Sequence, residues 1–408
     1  MNLPCAALLA TLSLSLHAEN WPQFRGPRGD GTSAENSAPT TWSQTNNITW
    51  KSPVPGEGHS SPILWNDSVF LTSASPENGD RLLLKINATS GKIVWQTAVA
   101  KSDRESMHRE NSSASSTPAT DGSSVVTSFQ VGNKVDIRSY DFDGNLRWSA
   151  QPLKFSGEHG YSYSPIFYKD LVILDCRQEG DAATIAFDKN DGRIRWKTEP
   201  KKSRISHITP LLINDGRREQ LLLSGSDETA SYDPATGKQL WWCKGPSDVS
   251  VAGMSFGSDL LFVTSGYPNR TRMAIRVDGS GDVTGSHIGW KMQRQVTYVP
   301  SPVYHDGHFY SVIDEGMMLC FDAKTGESKW DHRLGGRFRS SLLLVGGLIY
   351  ATNDKGLTTI FRASPDGFQQ VASNDLKELC YATHALSNGR LYIRAGDNLY
   401  CIGESKTL

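Results

Sequence analysis

Residues 163–196 have the sequence YSPIFYKDLVILDCRQEGDAATIAFDKNDGRIRW, which is one complete copy of a pattern that recurs along the chain. A Ser-Pro pair opens the copy, two apolar runs follow, and Trp196 closes it after a turn between Asp188 and Gly192. Asp can hydrogen-bond to the backbone of its own turn, and Gly tolerates the positive φ that many tight turns require. The pattern therefore predicts four short strands joined by tight turns.

The copies are marked by a proline at the start and a tryptophan at the end. The prolines that start a unit each follow Ser or Thr: Pro62, Pro118, Pro165, Pro210 and Pro302. The closing tryptophans are Trp95, Trp148, Trp196, Trp241, Trp290 and Trp330, spaced 40 to 53 residues apart. A four-stranded repeat of this length is typical of propeller blades. Since proline cannot donate to a sheet ladder, the first strand of each copy is predicted to be an edge that faces the central channel.

Eight repeat units can be traced along the chain. They cover residues 59–100, 112–151, 160–199, 206–245, 249–293, 297–334, 336–376 and 380–402. Met254 and Leu342 replace the proline in the fifth and seventh units, and the eighth unit ends without a fourth strand. Residues 48–54, which begin Ile48-Thr49-Trp50, resemble a fourth strand but have no first three strands before them.

One missing strand and one unattached strand predict how the ring closes. We expect an all-β fold, an eight-bladed β-propeller of four-stranded antiparallel blades closed by the N-terminal strand at 48–54. A seven-bladed ring is the alternative, and it leaves both ends of the chain unexplained. Residues 19–408 are then a single domain, because each blade buries its faces only against its neighbours. Within it, residues 19–47 are expected to form an ordered coil packed on the propeller.

The net charge and the N-terminal sequence indicate which partners and which location to expect. The 408 residues carry a formal net charge of −1, which provides no general field for nucleic acid or anionic lipid. Residues 1–18 resemble a signal peptide, and no segment is apolar for long enough to predict a transmembrane helix. We therefore expect a periplasmic or secreted protein.

Five cysteines without a CxxC spacing follow the signal, and we interpret them as small buried side chains in strands.

The repeat resembles a known family. Asp233–Trp241, with the sequence DPATGKQLW, is similar to the tryptophan-docking repeat of the pyrroloquinoline quinone (PQQ)-like propellers. The opening Trp21–Pro27 and the segment His108–Pro118 resemble secreted propellers of this type from planctomycete and verrucomicrobial bacteria. The resemblance implies that the closing tryptophans dock between blades. They are Trp50, Trp95, Trp148, Trp196, Trp241, Trp290 and Trp330.

The resemblance implies two functional classes, quinoprotein dehydrogenases that use PQQ with calcium and the non-catalytic outer-membrane assembly propeller. For these enzymes, the resemblance implies a cofactor held between a tryptophan and a ring formed by two adjacent cysteines, together with calcium ligands and an aspartate base. This sequence has no Cys-Cys pair, no HExxH and no Walker loop, and we interpret 278–282 as a hairpin turn rather than a calcium loop.

We therefore predict a monomeric scaffold with no catalytic residue, no metal and no cofactor. Its expected partner is a protein or an extended ligand that binds at one propeller face. We do not expect it to bind nucleic acid. A PQQ-dependent oxidoreductase with a divergent site is the alternative, and a glycan-binding module is a third possibility.

A candidate site follows from the position of each inner strand. The residue three before the inner-strand proline, or before its replacement, should lie where that strand enters the channel. These positions are His59, Ser115, Ser162, His207, Val251, Val299, Arg339 and Tyr381. His59, His207, Arg339 and Tyr381 predict a ligand site at the channel mouth, suited to an anionic or carbonyl-rich ligand. A water-filled mouth with no specific role is the alternative. The polar loop at 101–111 is either solvated or a lid or partner-binding loop.

Overall fold

The computed structural model describes residues 19–404, so the predicted signal peptide at 1–18 lies outside the described residues. The described chain forms eight blades, each built on a four-stranded antiparallel sheet, and it contains strands, turns and coil but no helix. No helix within residues 19–404 is therefore long and apolar enough to cross a membrane. The eight-bladed all-β fold predicted from the repeats is confirmed.

The first four blades follow one another along the chain, and each runs from an inner to an outer strand. Blade 1 contains β2 (Ile63–Trp65), β3 (Ser68–Ala74), β4 (Asp80–Asn87) and β5 (Ile93–Lys101). Blade 2 contains β6 (Ala119–Thr120), β7 (Ser124–Val131), β8 (Lys134–Asp141) and β9 (Leu146–Lys154). Blade 3 contains β10 (Ile166–Tyr168), β11 (Leu171–Cys176), β12 (Ala183–Asp188) and β13 (Ile194–Thr198). Blade 4 contains β14 (Leu211–Asn214), β15 (Glu219–Gly225), β16 (Glu228–Tyr232) and β17 (Gln239–Lys244).

The last four blades differ in two places, an inserted strand and the origin of the final strand. Blade 5 contains β18 (Ser255–Gly257), β19 (Leu260–Ser265), β20 (Thr271–Arg276) and β22 (Ile288–Met292). Blade 6 contains β23 (Val303–His305), β24 (His308–Val312), β25 (Met317–Asp322) and β26 (Ser328–Arg333). Blade 7 contains β27 (Leu343–Val345), β28 (Leu348–Thr352), β29 (Leu357–Arg362) and β30 (Gln370–Asp375). Blade 8 contains β31 (Ala385–Ser387), β32 (Arg390–Ala395), β33 (Asn398–Ile402) and the N-terminal β1 (Ile48–Pro53).

The middle strands are buried, whereas the outer strands are largely exposed. Every residue of β11 is buried, whereas β13 buries only Trp196 and leaves Ile194 about half exposed. The middle strands are covered on both faces by neighbouring blades, so they are nearly continuous runs of apolar residues. The five cysteines of the described chain are buried and free. Cys176, Cys320 and Cys401 lie in these middle strands, Cys243 lies in the outer strand β17, and Cys380 lies in the loop before β31.

The ring closes through β1. This strand pairs antiparallel with β33, and Trp50 lies opposite Cys401 while Pro53 lies opposite Asn398. The two ends of the chain thus complete one blade, as the unattached strand predicts. The seven-bladed alternative is wrong.

Six of the seven closing tryptophans link their blade to the next. The indole Nε1 of Trp196 donates to the carbonyl of Pro234 at 3.1 Å, and this carbonyl lies in the outer turn of the following blade. The same bond joins five further pairs at 2.8 to 3.0 Å: Trp50 to Ala88, Trp95 to Phe142, Trp148 to Lys189, Trp290 to Ala323 and Trp330 to Ser364. The turn glycine lies against the ring. A Cβ on Gly192, whose φ is +73°, would lie 2.6 Å from the Trp148 ring.

Trp241 departs from this arrangement. It is fully buried, but its Nε1 donates to Gln220 Oε1 at 2.8 Å within its own blade. The reason is an insertion in blade 5, where β21 (Gly281–Asp282) pairs in parallel with β17 as a fifth strand of blade 4. Residues 278–282 are therefore part of this insertion, and the expectation of a simple hairpin turn is wrong.

Most inner strands are joined by the hydroxyl that precedes the proline or its replacement. The backbone N–H of Ser61 donates to Thr117 Oγ1 at 3.0 Å, so one inner strand is bonded to the next. Five further bonds of 2.8 to 3.1 Å repeat this link: Thr117 to Ser164, Gly253 to Ser301, Ser301 to Ser341, Ser341 to Thr383 and Thr383 to Ser61. The inner strands are edge strands, so some of their backbone N–H groups have no partner in a sheet. The hydroxyls of the neighbouring blade accept hydrogen bonds from these groups.

The N-terminal coil crosses one end of the channel. Trp21 exchanges two backbone hydrogen bonds with Leu64 of blade 1, and the Glu35 carboxylate accepts the backbone N–H groups of Asn388 and Gly389 of blade 8. Arg25 is buried between these contacts, and its guanidinium donates to the carbonyls of Met254 and Pro302 in blades 5 and 6. Phe24 lines the narrow part of the channel. The coil therefore closes the end opposite the mouth.

We predict that replacing Trp196 with alanine lowers the free energy of unfolding by about 3–5 kcal/mol, because it leaves a cavity between blades 3 and 4 and an unpaired Pro234 carbonyl. Urea denaturation of the variant measures this loss. The control Trp196→Phe retains a ring without the N–H group and should lose about 1–2 kcal/mol. An alanine variant as stable as the wild type would contradict the docking role.

Candidate functional site at the channel mouth

A cavity of about 720 Å³ opens at the mouth of the channel, at the end opposite the N-terminal coil. Its walls come from the connections between blades and from loops between the second and third strands. His59, Ser162, His207, Val251, Val299, Arg339 and Tyr381 line it. Ser115 lies just below, in a narrower cavity of about 140 Å³. The structure thus brings the four residues selected from the sequence, His59, His207, Arg339 and Tyr381, around one opening. Their role in binding stays a prediction.

The two histidines of the mouth are held as neutral groups. His59 packs edge-on against Tyr381 with ring centroids 4.7 Å apart, and His207 Nδ1 lies 2.8 Å from Ser162 Oγ. Burial lowers the pKa of His59 to about 4, assisted by the charge of Arg394. Burial likewise lowers the pKa of His207 to about 4. At neutral pH both rings therefore offer a hydrogen bond without a charge.

Arg339 differs from the sequence expectation of an available positive charge. Its Nε and Nη2 atoms both lie 2.9 Å from Glu110 Oε2, and its Nη1 lies 3.4 Å from Asp314 Oδ1. The second oxygen of Glu110 lies 2.9 Å from Arg337 Nη2. Sequence reasoning missed Glu110, Asp314 and Arg337 as mouth residues, because they are far apart in the chain and belong to no repeated position.

The loop at 101–111, called here the strap, brings Glu110 to this position. Near the first end of the strap, Glu105 forms a buried ion pair with Arg81 and accepts a 2.6 Å hydrogen bond from Ser102. At its second end Asn111 donates to the backbone carbonyl of His159 at 2.7 Å. The strap leaves the ring between blades 1 and 2, and Glu110 reaches blade 7. Since the Glu105 and Glu110 side chains are 7% and 19% exposed, the interpretation of a merely solvated loop is wrong for them.

The charges of the cavity wall are mixed, with a slight positive excess. Four arginines face three carboxylates: Arg109, Arg270, Arg337 and Arg339 against Glu110, Asp314 and Glu315. Arg270 pairs with Glu315 at 3.3 Å. Burial raises the pKa of Asp314, although its carboxylate accepts the N–H of Tyr298 and lies near Arg339.

A second cleft of about 580 Å³ adjoins the mouth over blades 3 to 5. It shares His159, Val249, Arg270 and Tyr298 with the mouth cavity, so the two form one elongated depression across this face. Tyr267, which is 63% exposed, lies at the cleft. The outline is that of an open groove rather than of a closed pocket.

The cavity does not match the cofactor site of the quinoprotein enzymes as the family resemblance describes it. No tryptophan and no cysteine is among the residues that line the mouth, so neither an indole floor nor a cysteine ring is available there. Within residues 19–404, no group of three or more His, Cys, Asp or Glu side chains is arranged to hold a metal ion. These side chains do not fit PQQ with calcium.

Comparison with known sequences gives the family. Residues 38–156, 180–267 and 230–371 match the family model described as outer membrane protein assembly factor BamB. The chain belongs to this family of PQQ-like propellers. BamB from Moraxella catarrhalis has a similar structure, with a TM-score of 0.61, 15% sequence identity, and coverage of 87% of this chain and 98% of that protein.

Two enzymes are also similar to this propeller. Quinohemoprotein alcohol dehydrogenase from Comamonas testosteroni has a TM-score of 0.51 and 10% identity over 95% of this chain and 81% of that protein. Tetrathionate hydrolase from Acidithiobacillus ferrooxidans is 22% identical over 330 residues, which are 75% of this chain. The match spans only 51% of the hydrolase. The likeness to the two solved structures shows the fold alone.

A pH-dependent stability follows from a third buried histidine, His384, which occupies the proline position of blade 8. Burial lowers its pKa to about 4, against an ordinary value of 6.5. The unfolded chain therefore binds a proton between pH 6.5 and 4 that the folded chain excludes, so stability is full above pH 6.5 and falls as the pH falls towards 4. We predict that His384→Leu loses less stability than the wild type between pH 7 and 5, by about 2 kcal/mol.

Thermal or urea denaturation of both proteins at pH 7 and pH 5 measures this difference. Leucine is suitable because blade 7 already carries Leu342 at the equivalent position. Equal losses in the two proteins would mean that His384 is protonated as easily in the folded chain as in the unfolded chain.

Proposed function

We propose that this protein is a non-catalytic binding scaffold that holds an extended ligand, a segment of a partner protein, on its mouth face. The observation that carries the proposal is the elongated depression formed by the mouth cavity and the adjoining cleft, with its mixture of valine, tyrosine, histidine and paired charges. Such a surface combines apolar area with oriented hydrogen-bonding groups, as peptide-binding sites do. Membership of a family described by an assembly factor also supports a scaffold role.

We propose that it acts in the periplasm or outside the cell. The signal-like sequence at 1–18 and the description of the family as an outer-membrane assembly factor support this location. We also propose that the protein works without PQQ or a metal. Purified protein mixed with PQQ and calcium should show no bound quinone absorbance and no dye-linked alcohol oxidation, whereas stoichiometric binding with turnover would favour the oxidoreductase.

A second candidate function is hydrolysis of a small sulfur anion such as tetrathionate. The sequence match to tetrathionate hydrolase favours it, and Asp314 supplies the cavity with a carboxyl group whose pKa is raised by burial. Loss of tetrathionate on incubation with the wild type, but not with Asp314→Asn, would support this candidate over the scaffold.

We predict that replacing His59, His207 and Arg339 together with alanine abolishes partner capture. Capture of cross-linked partners from the native cell envelope, quantified against the wild type, should fall at least about tenfold because the variant loses three polar contacts of the mouth.

The matched control is the combined replacement of His305, His308 and Arg333, three residues of the same types that do not line the cavity. The control should capture partners at the wild-type level. Both variants are first shown to unfold cooperatively. Retained capture by the mouth variant would move the binding site to another surface of the propeller.

A further inference from the structure

The mouth already contains a bound carboxylate, and it belongs to the protein itself. Glu110 bridges two arginines, with one oxygen 2.9 Å from Arg337 Nη2 and the other 2.9 Å from Arg339 Nε and Nη2. This is the geometry in which guanidinium groups recognise carboxylates. Burial alone would raise the pKa of Glu110, but the charges of Arg339 and Arg337 outweigh it and lower the pKa, so the side chain is ionised.

The attachments of the strap show which part of it can move. Its first end is fixed by the buried pair of Glu105 with Arg81, and its second end by hydrogen bonds of Asn111 to Ser115 and to the His159 carbonyl. The tip between them is tied to blade 7 by the Glu110 ion pairs, and the His108 N–H donates to the His159 carbonyl at 3.3 Å. Arg337 is 54% exposed there, so water reaches this contact. An ion pair at such exposure contributes little net stability and exchanges readily, whereas the pair of Glu110 with Arg339, whose side chains are 19% and 11% exposed, is better shielded from water.

Release of Glu110 would change the charge of the cavity wall. Four arginines of the cavity wall would then face only two carboxylates, those of Asp314 and Glu315. Within residues 19–404, Arg337 pairs with no carboxylate other than that of Glu110. Two excess positive charges beside a partly apolar wall favour an anion. Since the site accommodates a glutamate side chain attached to a backbone, it is shaped for an acidic residue of a polypeptide.

We infer that the Arg337–Arg339 pair is the binding site for an acidic residue of a partner polypeptide, and that Glu110 of the strap occupies it until the partner's carboxylate takes its place. This inference rests on the proposed function and names the chemistry of the ligand. The adjoining cleft, which shares Val249 and Tyr298 with the mouth, provides room for the residues that flank the acidic one. The strap is then a competitor built into the chain.

The test uses the strap sequence as a ligand supplied from outside. A fluorescein-labelled peptide with the sequence of residues 106–114, SMHRENSSA, carries the carboxylate of Glu110 on its own backbone. A second peptide replaces that glutamate with glutamine. Fluorescence anisotropy compares their binding to the wild type, to Glu110→Gln and to Glu110→Gln combined with Arg337→Gln and Arg339→Gln. Glu327→Gln is the matched control, because Glu327 is an exposed glutamate that lines neither the mouth nor the adjoining cleft.

The glutamate peptide should bind Glu110→Gln at least about tenfold more tightly than it binds the wild type or Glu327→Gln, because it no longer competes with the internal carboxylate. The gain should disappear in the triple variant and for the glutamine peptide, and it should weaken in high salt. If Glu110→Gln does not fold, the wild type at high peptide concentration must still prefer the glutamate peptide.

Equal affinity of the wild type and Glu110→Gln for the glutamate peptide would overturn the inference. Displacement of the peptide by an equal concentration of N-acetylglutamate would also overturn it, because a free carboxylate would then suffice. These results leave the scaffold itself testable: partner capture that requires the mouth, together with failed peptide binding, would refute the acidic ligand but not the proposed function.

Discussion

The structure depends on the pairing of the first strand with the last. Ile48–Pro53 supplies the outer strand that Asn398–Ile402 would otherwise lack, and Trp50 then donates to Ala88 in blade 1 as the other docking tryptophans do between consecutive blades. A propeller whose last blade stopped at its third strand would leave an open sheet edge and an undocked neighbour. Because each blade buries its apolar faces only against the next, closure determines whether all eight interfaces exist together.

The mouth is a consequence of this closed ring. Eight inner strands enter the channel in the same orientation, so one position of the repeat places a side chain at the opening in every blade. The N-terminal coil, with Phe24 in the narrow channel and Arg25 buried beneath it, closes the opposite end. The result is a cavity with a single open face, over which the strap extends. The ring thus provides rigid positions, and the strap adds the one carboxylate that joins blade 7 to the loop after blade 1.

Repetition explains what could be predicted from the sequence. Features that recur, such as the Ser/Thr-Pro pair, the turn glycine and the closing tryptophan, identified the blades, the closing strand and the eight positions around the channel. Their roles were less visible: the hydroxyl before the proline links adjacent inner strands, which the sequence pattern alone did not indicate. Features that occur once were missed. The pairing of Glu110 with Arg337 and Arg339 joins residues more than 220 positions apart, and the fifth strand of blade 4 comes from an insertion in blade 5.

Removal of residues 19–53 is the most direct test of the central claim that both chain ends close the ring. Urea denaturation of the chain that begins at Val54, followed by tryptophan fluorescence and circular dichroism, reports both the midpoint and the cooperativity of unfolding. We expect a lower midpoint and a shallower transition, because blade 8 loses its outer strand and the channel loses its closed end. A truncated chain that unfolds with the midpoint and slope of the intact protein would contradict the account.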